Sequence, residues 1–285
     1  MKKGLVLEGG AMRGLFTAGV TDVLMENNIT FDGMIGVSAG AAFGCNYKSG
    51  QIGRVLRYNT KYCRDRRYSG FRTFFKTGDM FSTDFCYGIV PIKLDAFDFD
   101  AFSKNPMEFY VVCTDIETGQ PVYHKYEGLS DHGFDWIRAS ASMPLVSQIV
   151  KIDGKKLLDG GMSDSIPLKF FRDIGYEKNV VVLTQPIEYR KEKNKMMPLV
   201  RLKYKDYPKL TEAMENRHIM YNSETDYVKS EEEKGTAFVI RPEKPLPVSR
   251  VEKNPDKLRL AYRIGRKTAE ERLEDLKIFW KNDKK

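Results

Sequence analysis

Two stretches decide the fold: Lys3-Gly4-Leu5-Val6-Leu7-Glu8-Gly9-Gly10-Ala11-Met12-Arg13-Gly14, and Phe31-Asp32-Gly33-Met34-Ile35-Gly36-Val37-Ser38-Ala39-Gly40. Each opens on a short apolar run of strand length and breaks at glycines. After the first, Leu15, Ala18, Gly19, Val23 and Leu24 share one helical face until Asn27-Asn28. After the second, residues 39–47 continue as a helix of small side chains. The order is therefore strand, turn, helix, twice over. Parallel strands need such helical crossovers, so the expectation is an α/β fold with a mostly parallel central sheet flanked by helices on both faces.

Reading outward, strand-like runs return at 108–114 and, after Gly119, at 121–123. A helix is expected over 135–142, ended by Pro144. Residues 150–152 and 156–158 flank Asp153-Gly154, a tight hairpin signal. The last strong core strand spans 179–183; a Lys-rich connection follows at 189–195, then a long helical region and a strand at 237–240. Leu258, Ala261, Tyr262, Ala269, Leu273, Leu276, Phe279 and Trp280 recur at helical spacing and should pack back on the body. No repeat or interdomain linker is visible. The expectation is one domain over 1–285, with a motif-bearing core at about 3–185 and a helical C-terminal extension at 186–285.

Bulk properties narrow the function. The chain has 285 residues, 41% hydrophobic and 30% charged, which suits a globular protein with a sizeable core. It has no apolar run of about 18 residues, so no membrane-spanning helix is expected. Met1-Lys2-Lys3 opens like an export signal, but Leu5-Val6-Leu7 is too short for the apolar region of about 7–15 residues such a signal needs. A cytoplasmic protein is expected. Cys45, Cys63, Cys86 and Cys113 form no C-x-x-C pair and read as reduced thiols in or near the core. The three histidines have no metal-ligand spacing, no acidic calcium loop occurs, and neither metal nor cofactor is expected. Forty-seven basic against 39 acidic residues give +8, which favours anionic surfaces without naming one.

Three motifs carry chemistry. Gly36-Val37-Ser38-Ala39-Gly40 is a G-x-S-x-G between an expected strand and an expected helix. A nucleophile elbow needs that context, because the flanking glycines let neighbouring backbone pass a sharp turn. Ser38 would then stand at a helix N-terminus, where developing negative charge is favoured. Gly9-Gly10-Ala11-Met12-Arg13-Gly14 can aim several backbone N–H groups at one point, as an anion or oxyanion site. It fails as a P-loop, since Leu15-Phe16 follows Gly14, and as a dinucleotide fingerprint, since Ala11 stands where Gly is required. Asp159-Gly160-Gly161 is a flexible turn by default and, beside an elbow serine, a candidate general base.

Taken in this order, the motifs G-G-x-x-R-G, G-x-S-x-G and D-G-G resemble the patatin-like phospholipase family over about residues 3–185. Leu5-Val6-Leu7-Glu8, the small-residue segment Ala139-Ser140-Ala141-Ser142-Met143-Pro144, and Ile166-Pro167 support the resemblance. It implies a three-layer α/β/α sandwich, Ser38 as nucleophile, Asp159 as its activating base, and Gly9, Gly10 and Ala11 as oxyanion hole. Arg13, Gly14, Gly36, Gly40, Gly160 and Gly161 stand as supporting motif positions. The implied substrate is a lipid ester, cleaved through a covalent acyl-enzyme without cofactor. Ala11 departs from the family's usual Gly. Its N–H survives, provided Ala adopts the local backbone conformation.

Two other readings address the same residues. An α/β-hydrolase triad would make His218 the base, since it alone among the histidines follows Asp159; yet it lies in a charged, helical stretch. A non-catalytic lipid-binding module would not need all the motif residues. The Arg, Tyr and Phe of 58–87 and the basic stretch 189–209 suit a solvated cap, an amphipathic lid on an anionic membrane surface, or stacking on nucleic acid. Nucleic acid is not the expected partner. Oligomeric state is left open.

Overall fold

The computed structural model describes residues 1–127 and 132–281. Its elements begin as read: β1 (Lys2–Leu7), α1 (Gly14–Glu26), β2 (Gly33–Val37) and α2 (Ala39–Lys48). A helical layer follows, with α3 (Arg54–Tyr62), α4 (Phe71–Thr77), a wide-turn helix at Asp84–Leu94, and α5 (Phe99–Lys104). Then come β3 (Glu108–Asp115), β4 (Pro121–Lys125), α6 (Asp135–Ser140) and the hairpin β5 (Val150–Ile152) and β6 (Lys155–Asp159). The chain continues with α7 (Leu168–Asp173), β7 (Tyr176–Val182), α8 (Met197–Lys203), α9 (Pro208–Glu233), β8 (Ala237–Ile240), α10 (Pro255–Glu271) and α11 (Leu273–Lys281).

The two-residue period of the strands builds two cores, one on each face of the sheet. Leu5 and Leu7 of β1, Met34 of β2, Val111 of β3, and Val180 and Val182 of β7 meet Phe16 and Val20 of α1. Val6, Ile35, Val37, Val112 and Val181 point the other way, against Leu168 and Phe171 of α7 and Tyr221 and Val228 of α9. The result is a three-layer α/β/α sandwich. The sheet has eight strands in the order β5-β6-β3-β2-β1-β7-β8, with β4 on β3. Pairings among β3, β2, β1, β7 and β8 are parallel, and those of β4, β5 and β6 are antiparallel.

Some boundaries move from the reading. β2 starts at Gly33 rather than Phe31, because the Phe31 ring turns into the core against Tyr47 and Trp280. α6 stops at Ser140, and the Ser142 hydroxyl bonds back to Arg138 O at 2.8 Å. The Asp153-Gly154 hairpin forms with φ of 50° and 76°, the left-handed pair a two-residue turn requires. The C-terminal extension holds the strand read at 237–240 as well as helices. Its β8 adds a parallel strand to β7, and α10 lies across α1 so closely that a Cβ on Gly265 would stand 2.0 Å from Phe16 O.

Sheet topology positions the candidate site. β2 pairs with β3 as far as Val37 opposite Val112, and β6 pairs with β3 from Leu157 to Asp159, opposite Cys113. β4 occupies the other edge of β3 through Tyr110–Thr114, so β2 and β6 share one edge and run toward each other along it. The residues at their meeting ends are Ser38 and Asp159.

Candidate active site

At the end of β2 the chain turns directly into α2. Ser38, the N-cap of that helix, has φ 54° and ψ −121°, a conformation that costs an L-residue about 1–3 kcal/mol. The turn is tight enough to need Gly40, where a Cβ would lie 2.3 Å from Leu7 O. Strain at this position is held by surrounding bonds. Ser38 N donates to Ser140 Oγ at 2.8 Å, and that hydroxyl donates in turn to Val112 O at 2.6 Å.

Ser38 Oγ donates to Asp159 Oδ2 at 2.6 Å, and both side chains are buried. The other carboxylate oxygen, Oδ1, accepts from Gly161 N at 2.8 Å, so the D-G-G turn fixes the carboxylate orientation. Asp159 N donates to Ser142 O at 2.9 Å. The small-residue segment 139–144 thus clasps both partners, through Ser140 on one and Ser142 on the other. Burial pushes the Asp159 carboxyl above the usual carboxylate range, against the opposing pull of the Ser38 hydroxyl, Arg217, Gly161 N–H and Arg250. A raised carboxyl is a better proton acceptor.

The Gly9-Gly10-Ala11 loop packs against this pair, and a Cβ on Gly9 would stand 2.9 Å from Ser38 Cβ. Among the described residues, the N–H groups of Gly9, Gly10 and Ala11 donate to no protein acceptor. Ala11 has φ 50°, so the residue that departs from glycine does occupy the left-handed conformation. Arg13 makes no hydrogen bond to the Ser38 hydroxyl; its Nε donates to Thr184 Oγ1 at 3.4 Å. Gly14 packs under Phe43, and Gly36 and Gly160 pass close to Ala41 and Val112 backbone.

Ser38 faces two cavities. One is largely apolar and deep, lined by Met12, Phe43, Tyr58, Phe81, Val90 and Phe97 among others. The other is polar and lies over Asp159 and the glycine loop, with Glu8, Lys191, Arg217, Tyr221 and Arg250 in its wall. No histidine lines either cavity. His218 bonds Glu215 O at 3.0 Å on the exposed side of α9, which removes the support for a triad through it. Among the described residues no cluster of metal-ligating side chains occurs, and no helix is long and apolar enough to cross a membrane.

Two site residues, Glu8 and Arg217, had no role assigned from sequence, although Glu8 stood in the Leu5-Val6-Leu7-Glu8 run that supported the resemblance. Glu8 closes the loop behind Ser38 by accepting from Thr184 N at 2.5 Å and Tyr221 OH at 2.7 Å. Arg217 donates through Nε to Gly161 O, bracing the turn that carries Asp159. Arg217 and the partners of Glu8, Thr184 after β7 and Tyr221 on α9, lie far along the chain from the glycine loop.

Fold and site together define a class: an α/β/α sandwich with an elbow serine hydrogen-bonded to a buried aspartate. Residues 5–172 match the patatin-like phospholipase family, and the chain belongs to it. Residues 207–281 match a second family, described as a domain of unknown function (DUF6363). The chain is 29% identical over 286 residues to the uncharacterized protein YjjU of Escherichia coli (strain K12), covering 92% of this chain and 74% of that one. It is 30% identical over 185 residues to lysophospholipase nte1 of Aspergillus terreus, covering 60% of this chain but only 11% of that protein. VipD from Legionella pneumophila shares the fold, with a TM-score of 0.50 at 12% identity over 96% of this chain and 67% of that one.

Proposed function

We propose that the protein is a lipid acyl-hydrolase in which Ser38 and Asp159 form a catalytic dyad. The observation that carries the reading is the 2.6 Å bond from a strained, elbow-borne hydroxyl to a buried carboxylate with no histidine between them. Family membership and the similarity to lysophospholipases support a lipid ester as substrate.

In this mechanism the acyl chain occupies the apolar cavity and the alcohol portion leaves through the polar one. Asp159 Oδ2 takes the Ser38 proton as Oγ attacks the ester carbonyl. The carbonyl π electrons move to its oxygen, which the N–H groups of Gly10 and Ala11 receive. Collapse expels the alkoxide, which takes the proton from Asp159, and leaves an acyl-serine. A water then attacks the acyl carbon with its proton passing to Asp159; collapse breaks the acyl–Oγ bond, releases the fatty acid, and Ser38 Oγ takes the proton back from Asp159. Gly161 and Arg217 act by positioning the carboxylate.

The described chain works, in this reading, as one domain, since β8 and α10 belong to the same sheet and helical layer as the motif-bearing core. Contact with an anionic lipid surface would fall on α4, where Phe71 and Phe75 are 73% and 83% exposed beside Arg72. The rest of the aromatic region is a packed cap, with Tyr62, Tyr68 and Phe85 buried. A lipid-panel hydrolysis assay tests the activity, with Ser38→Ala as control and a fluorophosphonate adduct mapped by mass spectrometry. Labelling at Ser38 and loss of turnover in Ser38→Ala are expected; turnover persisting in Ser38→Ala would overturn the reading.

A further inference from the structure

The polar cavity beside Ser38 is lined by four cations: Arg13, Lys191, Arg217 and Arg250. They come from the glycine loop, the connection after β7, α9, and the loop before α10. Among the described residues none of the four makes an ion pair with a carboxylate within 4.0 Å. The two carboxylates in the same wall are already engaged: Glu8 with Thr184 and Tyr221, Asp159 with Ser38 and Gly161. Lys191 sits over the Tyr221 ring at 4.2 Å, so that aromatic face is not open to a quaternary amine. Three guanidinium groups and one ammonium against two engaged carboxylates leave a net positive wall facing the alcohol side of the ester, with or without the proton on Lys191.

We propose that this cavity is a subsite for a phosphate monoester carried on the alcohol portion of the substrate. It rests on the hydrolase reading and narrows it to acyl lipids whose phosphate bears no compensating amine. A dianionic phosphate offers three acceptor oxygens, which guanidinium groups bind through paired N–H donors. Lys191 supports the assignment from a second side. Burial, with Arg217, Arg13 and Arg250 adding to it and Glu8 opposing, holds its ammonium down to about 7, and an anion bound among these cations would raise it again. Arg217 and Arg250 lie in the 207–281 segment, so this segment would supply half of the headgroup wall.

Two arms keep the subsite separable from the hydrolase reading. In the first, binding of sn-glycerol 3-phosphate and of inorganic phosphate to Ser38→Ala is measured by calorimetry, with no catalysis involved. Glycerol 3-phosphate is expected to bind, at least tenfold more tightly than inorganic phosphate, and to weaken at least tenfold in Lys191→Met and in Arg250→Met, each in the Ser38→Ala background. Arg250 is exposed and Lys191 lies on a loop, so both variants should fold; unchanged circular dichroism and thermal midpoint check this. In the second, kcat/KM is compared for a lysophosphatidate, a lysophosphatidylcholine and a monoacylglycerol of one acyl length. The phosphate monoester is expected to lead by at least tenfold, with the ratio to monoacylglycerol collapsing in the Lys191→Met and Arg250→Met enzymes. Binding of both anions that ignores the two substitutions, inorganic phosphate binding as tightly as glycerol 3-phosphate, or equal kcat/KM for all three lipids would overturn the subsite. Loss of all hydrolysis with binding intact would instead strike the hydrolase reading alone.

Discussion

Ser38 and Ala11 both hold left-handed backbone, at φ 54° and 50°, where glycine would sit without cost. A serine is retained at the elbow because only its hydroxyl reaches Asp159. Ser38→Gly is therefore expected to relieve backbone strain but leave Asp159 Oδ2 without its donor, so the urea midpoint should not rise, while the hydroxyl and with it the proposed turnover are lost. Ala11→Gly should stabilise by about 1 kcal/mol and leave its N–H in place. In the proposed dyad, Asp159 makes the same trade between stability and chemistry. A carboxyl raised in the folded state holds its proton more tightly there than in the unfolded chain. Its stabilising contribution is thus full below the unfolded value, near about 3.9, and is lost as pH rises through the folded one. Asp159→Asn is expected to melt higher than the parent protein at pH 8, with the gap closing toward pH 4. Its kcat should fall about 10²–10⁴-fold, and an equal or lower melting point at pH 8 would contradict the burial argument.

At the scale of elements, the crossing of α1 and α10 decides whether the C-terminal segment is attached or integral. The two helices meet at Gly19 and Gly265, where added Cβ atoms would stand 2.2 Å from Tyr262 O and 2.0 Å from Phe16 O. Tyr262 OH donates to Asp22 at 2.6 Å and Arg266 pairs with Glu26 at 2.7 Å along the same seam. Gly265→Leu is expected to cost about 3 kcal/mol or more, read as a fall in the denaturation midpoint, because backbone rather than a movable side chain blocks the space. On α4 the opposite holds. Phe71 and Phe75 face solvent, so Phe71→Ser with Phe75→Ser should not lower the melting temperature but should weaken sedimentation with anionic vesicles about tenfold. Unchanged vesicle binding would remove α4 from the membrane-contact reading.

Across the whole molecule, β7 needs β8 on its outer edge and α1 needs α10 on its outer face. A chain ended at position 206 would expose both, along with the apolar side of α7 that α9 covers. It is expected to lack a cooperative unfolding transition and to bind a hydrophobic dye; a sharp calorimetric transition would show the core to be self-sufficient. What the sequence determined was local. Short apolar runs in β1 and β2, glycine turns and helical periodicity need only neighbours along the chain, so the α/β order and the elbow were legible from residues 3–47. The D-G-G turn and the 139–144 segment were visible as motifs, but not why they meet Ser38. That was decided by β2 and β6 running toward each other on one edge of β3, a pairing between residues 121 positions apart. The cationic wall belongs mostly to the tertiary structure. Arg13 was visible in the glycine-rich motif, but Lys191, Arg217 and Arg250 look like ordinary surface cations in sequence, and only chain packing brings all four to one cavity.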